Sequence, residues 1–533
     1  MTTPLRSTLD VTSDDFHENR RAQEAALAEL QEQLDLACAG GGQKYADRHR
    51  SRGRLLARER IELLVDRDAP FLEFSTLAAW GTQFSVGASI ITGLGVVSGV
   101  ETVIIAHDPT VRGGTMNPYT LRKNLRALEI AKRNRLPVIN LVESGGADLP
   151  TQSELFVHAG KIFQGLTELS AMAVPTIALV FGNSTAGGAY VPGMCDYAVL
   201  VDGQAKVFLG GPPLVKMATG EDADDEELGG ADMHSRISGL GDHFAVDERD
   251  AIRIGRRIMS EINWRKLGPG PSMPADAPLY DEDELLGIAA ADFRKPVDPR
   301  EVIARVVDGS RFGEYKPSYG TALTTGWASV HGFPVGILAN SRGILFSEEA
   351  QKGTEFILLA NQLDIPLLFL HNCTGFMVGK DYEQGGIIKD GAKMINAVTN
   401  SAVPHISINM GASFGAGNYG MSGRAFDPRF MFSWVNAKLA VMGAQQLAGV
   451  LSIVGRQAAD AAGREFDVDA DERRRVQIEE QIEAESHSFF ISSRLYDDGV
   501  IDPRDTRTVL GMALSAAHSQ VVEGRRGFGV FRM

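Results

Sequence analysis

The stretch FGNSTAGGAYVPGM, residues 181–194, has the composition of a site that works through its main chain. It places two adjacent glycines after small polar residues, and it holds no His, Asp, Glu, Lys or Cys. Small residues let a ligand approach the backbone closely, and the first N–H groups of a helix have no acceptor within that helix. Two such groups aimed at one point form an oxyanion hole, where the loss of one donor costs about 10²–10³ in rate. We therefore predict that the N–H groups of Gly187 and Gly188 stabilise an oxyanion.

The same pattern occurs a second time further along the chain, at a constant offset in residue number. The paired segments are LPVINLVESGGADL (136–149) with IPLLFLHNCTGFMV (365–378), and VPTIALVFGNSTAGGAY (174–190) with VPHISINMGASFGAGNY (403–419). The common offset places Gly187 and Gly188 on Ala416 and Gly417. A single pair of glycines often serves only the close packing of a strand and a helix, but a duplicated pair favours binding. Two oxyanion holes suit a reaction between two partners that each carry a carbonyl group.

The segments around these turns predict a duplicated α/β fold. In each half, apolar strands alternate with helical segments, which indicates largely buried parallel strands. The segments 91–108 and 324–340 are typical of β-hairpins, and a small insertion changes their offset. The proline-rich segment 267–283 predicts a linker. We expect an N-terminal helical segment (1–65) that belongs to the N domain, an N-terminal domain (66–290) and a C-terminal domain (291–533).

The composition indicates an intracellular protein and argues against several classes of function. The net charge of −15 opposes a nucleic-acid partner, whose phosphates require a basic face. Cys38, Cys195 and Cys373 lie far apart, which excludes a disulfide framework and a four-cysteine zinc site. The N-terminus does not resemble a signal peptide, and no apolar run approaches the roughly 18 residues of a membrane helix. We expect a cytoplasmic location and no membrane partner.

One motif suggests hydrolytic chemistry instead. GASFG (411–415) matches the G-x-S-x-G turn of serine hydrolases. That chemistry would require a downstream histidine, and only His487 and His518 are available. The counterpart of this motif in the first half keeps the serine but not the spacing. We therefore expect Ser184 and Ser413 to cap helices.

Several longer motifs are together specific to one family. They are LLARERIELLVD, ESGGADLP, TAGGAYVPGM, FLGGPPLVKMATGE, LGGADMH, DGSRFGEYK, NCTGFMVGKDYEQGGIIKDGAKM, FGAGNYGM and DDGVIDPRDTR. With them the chain, from about residue 40 to its end, resembles the carboxyltransferase (β) subunits of biotin-dependent acyl-CoA carboxylases, most closely those of methylcrotonyl-CoA carboxylase. The resemblance implies two tandem crotonase-like (ClpP/crotonase, ββα spiral) domains from an internal duplication. It also implies a homohexamer, with active sites where the N domain of one subunit meets the C domain of another.

The resemblance gives roles to the residues that the repeat had selected. The N–H groups of Gly187 and Gly188 would hold the thioester oxygen of an acyl-CoA, and those of Ala416 and Gly417 would hold the ureido oxygen of carboxybiotin. The predicted acyl-CoA-binding residues are Ser144, Gly145, Gly146, Ala147 and Ala186, the predicted biotin-binding residues are Thr374, Gly375, Phe376 and Gly415, and Tyr419 and Gly210 are predicted to influence acyl specificity. For the residues of ESGGADLP and NCTGFMVG, packing against the domain core is an equally ordinary role.

The resemblance also implies a mechanism and a partner. Carboxybiotin would release CO2 in the site, the biotin anion would remove the acidic proton of the acyl-CoA, and the stabilised enolate would attack CO2. Because the cofactor supplies the base, the glycine stretches need none, and no metal is expected. The chain has no EAMKM-like biotinylation site and no glycine-rich ATP loop. It should therefore need a partner (α) subunit with biotin carboxylase and biotin carrier domains.

The motifs favour 3-methylcrotonyl-CoA as the substrate. GAGNYGM and MVGKDYEQGGIIKDGAKM resemble that branch, whereas FLGGPP has Gly210 where FLAGPP is expected. This glycine would leave room for a longer chain such as geranyl, and propionyl-, acetyl- and longer acyl-CoAs are further alternatives. A biotin-dependent acyl-CoA decarboxylase would use the same turns in reverse. A crotonase-type hydratase or isomerase would require carboxylates facing the thioester, and none follows the glycine turns.

Two groups of charged residues have alternative explanations. A basic cluster comprises Arg48, Arg50, Arg52, Arg54, Arg58 and Arg60. Arginine suits bidentate phosphate contacts and coenzyme A carries three phosphates, but salt bridges to Glu59 and Glu62 are equally expected. His234 and His243 lack the spacing of zinc ligands on a helix. We expect local hydrogen bonds for these two histidines.

Overall fold

The computed structural model describes residues 3–290, 292 and 295–533. The helices of the first half are α1 Asp14–Ala39, α2 Gln43–Arg50, α3 Ala57–Leu64, α4 Pro118–Asn134, α5 Gln152–Ala171, α6 Tyr190–Met194, α7 Pro212–Thr219, α8 Asp225–Gly229, α9 Ala231–Met233 and α10 Glu248–Glu261. Its strands are β1 Leu72–Phe74, β2 Ile90–Val97, β3 Val100–His107, β4 Val138–Ser144, β5 Thr176–Thr185, β6 Tyr197–Val201, β7 Lys206–Phe208 and β8 His243–Ala245.

The second half repeats this alternation of helices and strands. Its helices are α11 Leu285–Ile288, α12 Pro299–Val306, α13 Ser347–Leu363, α14 Lys380–Gly385, α15 Ile387–Asn400, α16 Gly415–Gly420, α17 Ala444–Ala461, α18 Val468–Ser486, α19 Ser488–Ser493 and α20 Thr506–Ala517. Its strands are β9 Gly313–Tyr315, β10 Leu323–Val330, β11 Phe333–Asn340, β12 Gly343–Leu345, β13 Leu367–Phe376, β14 His405–Phe414, β15 Phe430–Trp434, β16 Lys438–Ala440 and β17 Val500–Ile501. Short 3-10 turns lie at Arg112–Gly114, Leu149–Thr151, Ala186–Ala189, Glu282–Glu284, Asp308–Ser310, Arg424–Phe426 and Pro503–Asp505.

Each half forms its own sheet, and the two sheets have matching strand orders. The first runs β1-β2-β3-β4-β5-β6-β8 with β7 beside β5, and the second runs β9-β10-β11-β13-β14-β15-β17 with β16 beside β14 and β12 beside β13. In both sheets the first three strands are antiparallel and the others are parallel. The predicted α/β class and the internal duplication are therefore confirmed, and so are the two hairpins.

The duplication begins earlier in the chain than the sequence comparison indicated. An aspartate follows α3 in the first half and α12 in the second, and each accepts hydrogen bonds from a hairpin turn. Asp66 accepts from two N–H groups of the β2–β3 turn (2.8 and 2.7 Å), and Asp308 accepts from two N–H groups of the β10–β11 turn (3.0 and 2.7 Å). A guanidinium from a later helix completes each cluster, Arg256 at 2.8 Å from Asp66 and Arg507 at 2.7 Å from Asp308.

A buried lysine fastens each hairpin to its first long helix. Lys123 of α4 donates to two backbone carbonyls at the start of β2 (2.7 and 3.2 Å), and Lys352 of α13 does the same at β10 (2.7 and 3.3 Å). Burial lowers the pKa of Lys123 to about 8 and lowers that of Lys352 as well. Because the two lysines are separated by the same offset as the two glycine turns, they belong to the same repeat.

A buried ion-pair cluster joins the two halves. The Nε and Nη2 atoms of Arg126, on α4, donate to the carboxylate of Asp498 (2.7 and 2.9 Å). The same carboxylate accepts from Arg424 (3.3 Å) and from the N–H group of Met431 (2.9 Å). The predicted domain boundary at residues 290 and 291 involves Ala291, which lies outside the described residues, and this boundary stays a prediction.

The segment 1–65 is helical and packs on the rest of the chain. Its Arg-rich part, residues 48–64, was expected to be one helix, but α2 ends at Arg50 and α3 begins at Ala57, so two helices divide it. The side chain of Gln23, on α1, donates to the carbonyl of Ala289 (3.2 Å). The ring of Phe16 lies so close to Gly287 that a Cβ there would be 2.1 Å from it. Among the described residues, no helix combines the length and the apolar character needed to cross a bilayer.

Candidate active site

Both glycine stretches form the same strand-to-helix turn. At the end of β5 the chain enters the 3-10 turn Ala186–Ala189, here called the first glycine turn. At the end of β14 it enters α16, Gly415–Gly420, here called the second glycine turn. The first residue of each turn has a left-handed backbone, with φ of 53° at Ala186 and 52° at Gly415. Since alanine rarely adopts this conformation, the shape of the first turn is imposed by its surroundings.

The predicted oxyanion donors occupy equivalent positions in the two turns. Gly187 and Gly188 are the second and third residues of the first turn, and Ala416 and Gly417 hold the same places in the second. The N–H groups at these positions have no acceptor within their own helix. The geometry thus leaves two N–H groups available on each turn.

The expectation that serines cap these helices is wrong. Each strand continues one residue beyond its serine, so that the capping positions are Thr185 and Phe414, and neither side chain accepts a capping bond. The hydroxyl of Ser184 donates to the carbonyl of Gly188 (2.9 Å). Ser413 accepts from the side chain of Asn418 (2.8 Å) instead. Each serine therefore stabilises its turn through a hydrogen bond to a residue of that turn.

A cavity of about 130 Å³, here called the first cavity, lies against the first glycine turn. Its lining includes Ala186, Gly187, Gly188, Ser144, Gly146 and Ala147, which the sequence predicted as acyl-CoA-binding or catalytic. The loop that precedes α4 holds two of them in place. The hydroxyl of Ser144 donates to the carbonyl of Gly114 (2.6 Å), and the N–H group of Met116 donates to the carbonyl of Gly146 (2.8 Å).

The glycines of the first turn are not required by local packing. Of the residues that the structure describes, a Cβ at Gly188 would have only the hydroxyl of Ser184 near it, at 4.0 Å, and a Cβ at Gly187 would touch only the ring of Phe163, at 3.6 Å. A Cβ at Gly417, by contrast, would lie 2.6 Å from the sulfur of Cys373. The open space above the first turn is therefore consistent with a bound ligand, whereas Gly417 is needed for the fold of the second turn.

We expect Gly417→Ala to lower the stability by about 1–3 kcal/mol, because the added methyl group must displace a buried neighbour. Gly188→Ala is the matched control and should leave the stability unchanged. The thermal unfolding midpoints of the two variants and the parent chain check this difference. Equal midpoints for both variants would contradict the packing argument.

A larger cavity of about 740 Å³, here called the second cavity, lies beside the second glycine turn. Thr374 and Phe414 line it together with the start of α17 and one face of α18. The hydroxyl of Thr374 donates to the carbonyl of Gly343 (2.8 Å), which fixes the end of β13 against β12. The two halves thus each place a cavity beside a glycine turn.

Comparison with known families shows which family the chain belongs to. A family model described as the carboxyl transferase domain matches residues 48–530 of the chain. The chain belongs to the carboxyltransferase family.

Individual relatives agree with this assignment. The carboxyltransferase is 64% identical over 529 residues to a protein of Mycobacterium tuberculosis named as a probable biotin-dependent acyl-coenzyme A carboxylase beta2 subunit, covering 99% of this chain and 100% of the relative. It is 50% identical over 537 residues to the mitochondrial methylcrotonoyl-CoA carboxylase beta chain of Dictyostelium discoideum, covering 99% and 91%. The crystal structure of the beta subunit of P. aeruginosa geranyl-CoA carboxylase matches with a TM-score of 0.89 at 40% identity and 99% coverage of each chain. The predicted carboxyltransferase activity and tandem crotonase-like fold are therefore confirmed.

The G-x-S-x-G motif of the carboxyltransferase is not a hydrolase site. The hydroxyl of Ser413 is hydrogen-bonded to Nδ1 of His371 (2.9 Å), a partner that lies upstream of the serine. Both side chains are fully buried, and burial lowers the pKa of His371 to about 4. Nε2 of His371 has no hydrogen-bond partner among the described residues, so no carboxylate orients this ring. The pair is part of the packing beneath the second turn.

Several predicted site residues do not line either cavity. The N–H group of Gly145 donates to the carbonyl of Gly113 (3.0 Å), which makes Gly145 part of the support of the first cavity. The ring of Phe376 lies 3.3 Å from where a Cβ of Gly420 would be, so it packs beneath the second turn. Tyr419 is half exposed and contacts Phe426, and a Cβ at Gly210 would meet Leu214 at 2.8 Å. The specificity roles of Tyr419 and Gly210 stay predictions.

The sequence reasoning missed the floor of the first cavity. This floor contains His107, Asn124 and Asn140, all nearly buried. Burial lowers the pKa of His107 to about 4, so its ring is neutral, and among the described residues Nδ1 of His107 and Oδ1 of Asn124 have no hydrogen-bond partner. Ile162 and Phe163 of α5 close the cavity from the side. The only sequence signal was polarity inside otherwise apolar segments.

His234 makes the local hydrogen bonds that the sequence predicted. Its ring nitrogens lie 2.7 Å from the hydroxyl of Ser238 and 2.7 Å from the carbonyl of Val207. Asp242, which precedes His243, accepts from the N–H group of Ala198 (2.7 Å). These contacts fasten the segment after α9 to the sheet.

Proposed function

We propose that the carboxyltransferase moves a carboxyl group from carboxybiotin, carried by a partner subunit, to 3-methylcrotonyl-CoA. The observation that carries the proposal is the duplicated turn, which gives equivalent pairs of N–H groups beside two separate cavities. In this proposal Gly187 and Gly188 bind the thioester oxygen, and Ala416 and Gly417 bind the ureido oxygen. Each half of the chain thereby serves one of the two carbonyl groups.

The first glycine turn is suited to stabilise an enolate. When the proton next to the thioester leaves, negative charge moves to the thioester oxygen, and fixed N–H groups stabilise this charge more than that of the ground state. The left-handed backbone of Ala186 and the hydrogen bond from Ser184 to the carbonyl of Gly188 hold the turn in one shape. Bound carboxybiotin would supply both CO2 and, after its release, the base.

The size of the first cavity supports a short acyl group. Its volume of about 130 Å³ and its closure by Ile162 and Phe163 suit a branched five-carbon acyl chain better than a geranyl chain of twice that length. The higher identity to the methylcrotonoyl-CoA enzyme than to the geranyl-CoA enzyme supports the same choice. Acyl-CoA decarboxylation in the reverse direction is the second candidate, because the same turns would serve it.

The second cavity suits a cofactor delivered from outside the chain. It is open and large, about 740 Å³, and Thr374 lies at its edge beside the second turn. We propose that a partner subunit with biotin carboxylase and biotin carrier domains inserts its biotin here. We further propose a cytoplasmic homohexamer in which this cavity faces the first cavity of a neighbouring copy.

The half-reaction tests the proposal without the partner. The purified chain is incubated with biocytin and, separately, with 3-methylglutaconyl-CoA, methylmalonyl-CoA or malonyl-CoA, and the loss of CO2 is followed. We expect biocytin-dependent decarboxylation that is fastest with 3-methylglutaconyl-CoA. Preference for either of the other two would reassign the substrate, and turnover without biocytin would indicate a crotonase-type decarboxylase or hydrolase. No turnover from an assembled oligomer would contradict the proposal.

A further inference from the structure

Three buried polar side chains are connected by hydrogen bonds beneath the second glycine turn, and are here called the His371 network. The amide nitrogen of Asn418 donates to the hydroxyl oxygen of Ser413 (2.8 Å), and this hydroxyl is hydrogen-bonded to Nδ1 of His371 (2.9 Å). Since an amide nitrogen can only donate, Ser413 accepts from it and has its own hydrogen available for the neutral ring of His371. The network therefore connects strand β13 to the residue that directly follows the donors Ala416 and Gly417.

The first half of the chain lacks both ends of this network. At the constant offset of the repeat, Val142 stands in the place of His371, and Ala189 stands in the place of Asn418. The serine is kept, but the hydroxyl of Ser184 donates directly to a carbonyl of the first glycine turn (2.9 Å). A strand-to-turn connection of this kind thus forms without a histidine, and the fold itself does not require one.

The second turn has a reason to need the additional support. Its first residue is Gly415, whereas the first turn has Ala186 in the same left-handed position. Glycine leaves more backbone conformations accessible than alanine does, so another contact must hold the second turn in one shape. Burying an imidazole costs free energy that a valine would not cost. The fixed position of Asn418, which also packs against Gly423, offsets this cost.

We propose that His371 is a positioning residue for carboxyl transfer. Acting through Ser413 and Asn418, it keeps the N–H groups of Ala416 and Gly417 aimed at the carbonyl group that the second glycine turn binds. The inference rests on the proposed binding of the ureido oxygen at this turn. His371 is fully buried and is not among the described residues that line either cavity, so it acts on the reaction only through the turn.

The variant His371→Val gives the second half the residue of the first half and tests this role. We expect kcat/KM for biocytin to fall about 10- to 100-fold in the half-reaction with 3-methylglutaconyl-CoA, because misaligned donors stabilise the ureido oxygen less. The affinity and the number of sites for 3-methylcrotonyl-CoA, measured by calorimetry on the assembled protein, should stay unchanged because the first turn is intact. A purely structural role would lower the number of acyl-CoA sites together with the rate, and that result would overturn the inference.

Three further variants separate positioning from the loss of a buried histidine. His371→Asn should recover most of the rate, because its Oδ1 is an acceptor bonded to Cγ, as Nδ1 of histidine is. Adding Ser413→Ala to His371→Val should cause no further loss, since residues of one network do not act additively. His518→Val removes a comparably buried histidine at the end of α20 and should leave the biocytin parameters unchanged. A loss in His371→Asn or His518→Val as large as in His371→Val would overturn the inference.

Amide hydrogen exchange of the assembled protein tests the inference without any turnover. His371→Val should speed the exchange of residues 415–420 about tenfold and leave residues 186–190 unchanged, because the network supports the second turn alone. This result would support the inference even where no thioester reacts, whereas a parent chain without biocytin-dependent turnover would contradict the proposed function. Unchanged exchange of residues 415–420, or a full rate with biocytin in His371→Val, would overturn the inference.

Discussion

Replacing Gly188 with valine is expected to slow biocytin-dependent carboxyl transfer by about 10²–10³-fold, because it removes one oxyanion donor from reach of the thioester. The branched side chain would occupy the open space above the first glycine turn, where the nearest described atom to a Cβ is the hydroxyl oxygen of Ser184, at 4.0 Å. The fold tolerates this change for the same reason. The loss should appear mainly in kcat, since the charge on the oxygen develops in the transition state.

The control for this experiment is a glycine-to-valine change elsewhere. Among the described residues, none has an atom within 4 Å of where a Cβ at Gly449 of α17 would be, so Gly449→Val should keep both activity and stability. Thermal unfolding and the oligomeric state of both variants are measured alongside the rate. Full activity of Gly188→Val with an intact fold would remove the first glycine turn from the reaction. A lowered unfolding midpoint would show instead that packing requires this glycine.

The repeat could be predicted from the sequence wherever the two halves kept the same spacing. The paired segments 136–149 and 365–378 contain strands β4 and β13, and the segments 174–190 and 403–419 contain strands β5 and β14. Their constant offset aligned the two turns correctly. The earlier part of the repeat was missed because insertions change the offset there. Asp66 and Asp308 are further apart in the chain than this offset, and the hydrogen bonds that make them equivalent are visible only in the folded chain.

The candidate site was predictable only as far as backbone geometry follows from glycine patterns. Gly187 and Gly188 were located by sequence because small residues after a strand indicate a close approach to the main chain. The sequence did not reveal that His107 and Asn124 form the floor of the first cavity, because the two residues lie on different elements and no local motif joins them. The prediction that Ser184 and Ser413 cap helices was wrong because strands β5 and β14 continue one residue further than the pattern indicated.

Two adjacent buried aspartates should respond in opposite ways to the same substitution. Asp498 is bound by Arg126 and Arg424, whereas both carboxylate oxygens of Asp497 lack a hydrogen-bond partner among the described residues. The hydroxyls of Ser433 and Ser492 lie near Asp497, outside bonding geometry but close enough to lower its pKa somewhat. Desolvation outweighs them and raises that pKa to about 6. For Asp498, desolvation is outweighed by the two arginines, and its pKa lies below the ordinary value.

Proton linkage predicts whether each substitution raises or lowers the stability of the protein at a given pH. A carboxyl group with a raised native pKa costs stability as the pH rises from about 4 to above 6, so Asp497→Asn should stabilise the protein by about 3 kcal/mol at pH 8, by about half of that at pH 5, and little below pH 4. A carboxyl group with a lowered native pKa stabilises the fold above about pH 4. Asp498→Asn should therefore destabilise it at pH 5 and pH 8 alike, by about 3–5 kcal/mol, because buried Arg126 loses its two-point carboxylate partner and keeps only Glu129, at 3.0 Å.

Thermal unfolding midpoints of the parent chain and both variants at pH 5 and pH 8 check this pair of predictions. Asp497→Asn should raise the midpoint at both values, about twice as much at pH 8 as at pH 5, and Asp498→Asn should lower it at both values. Because the two residues are neighbours with the same burial, general disturbance of the segment cannot produce opposite signs. A fall in the midpoint of Asp497→Asn at pH 8 would mean that Ser433 and Ser492 hold an ionised carboxylate favourably. An unchanged midpoint for Asp498→Asn would mean that the ion-pair cluster does not stabilise the contact between the two halves.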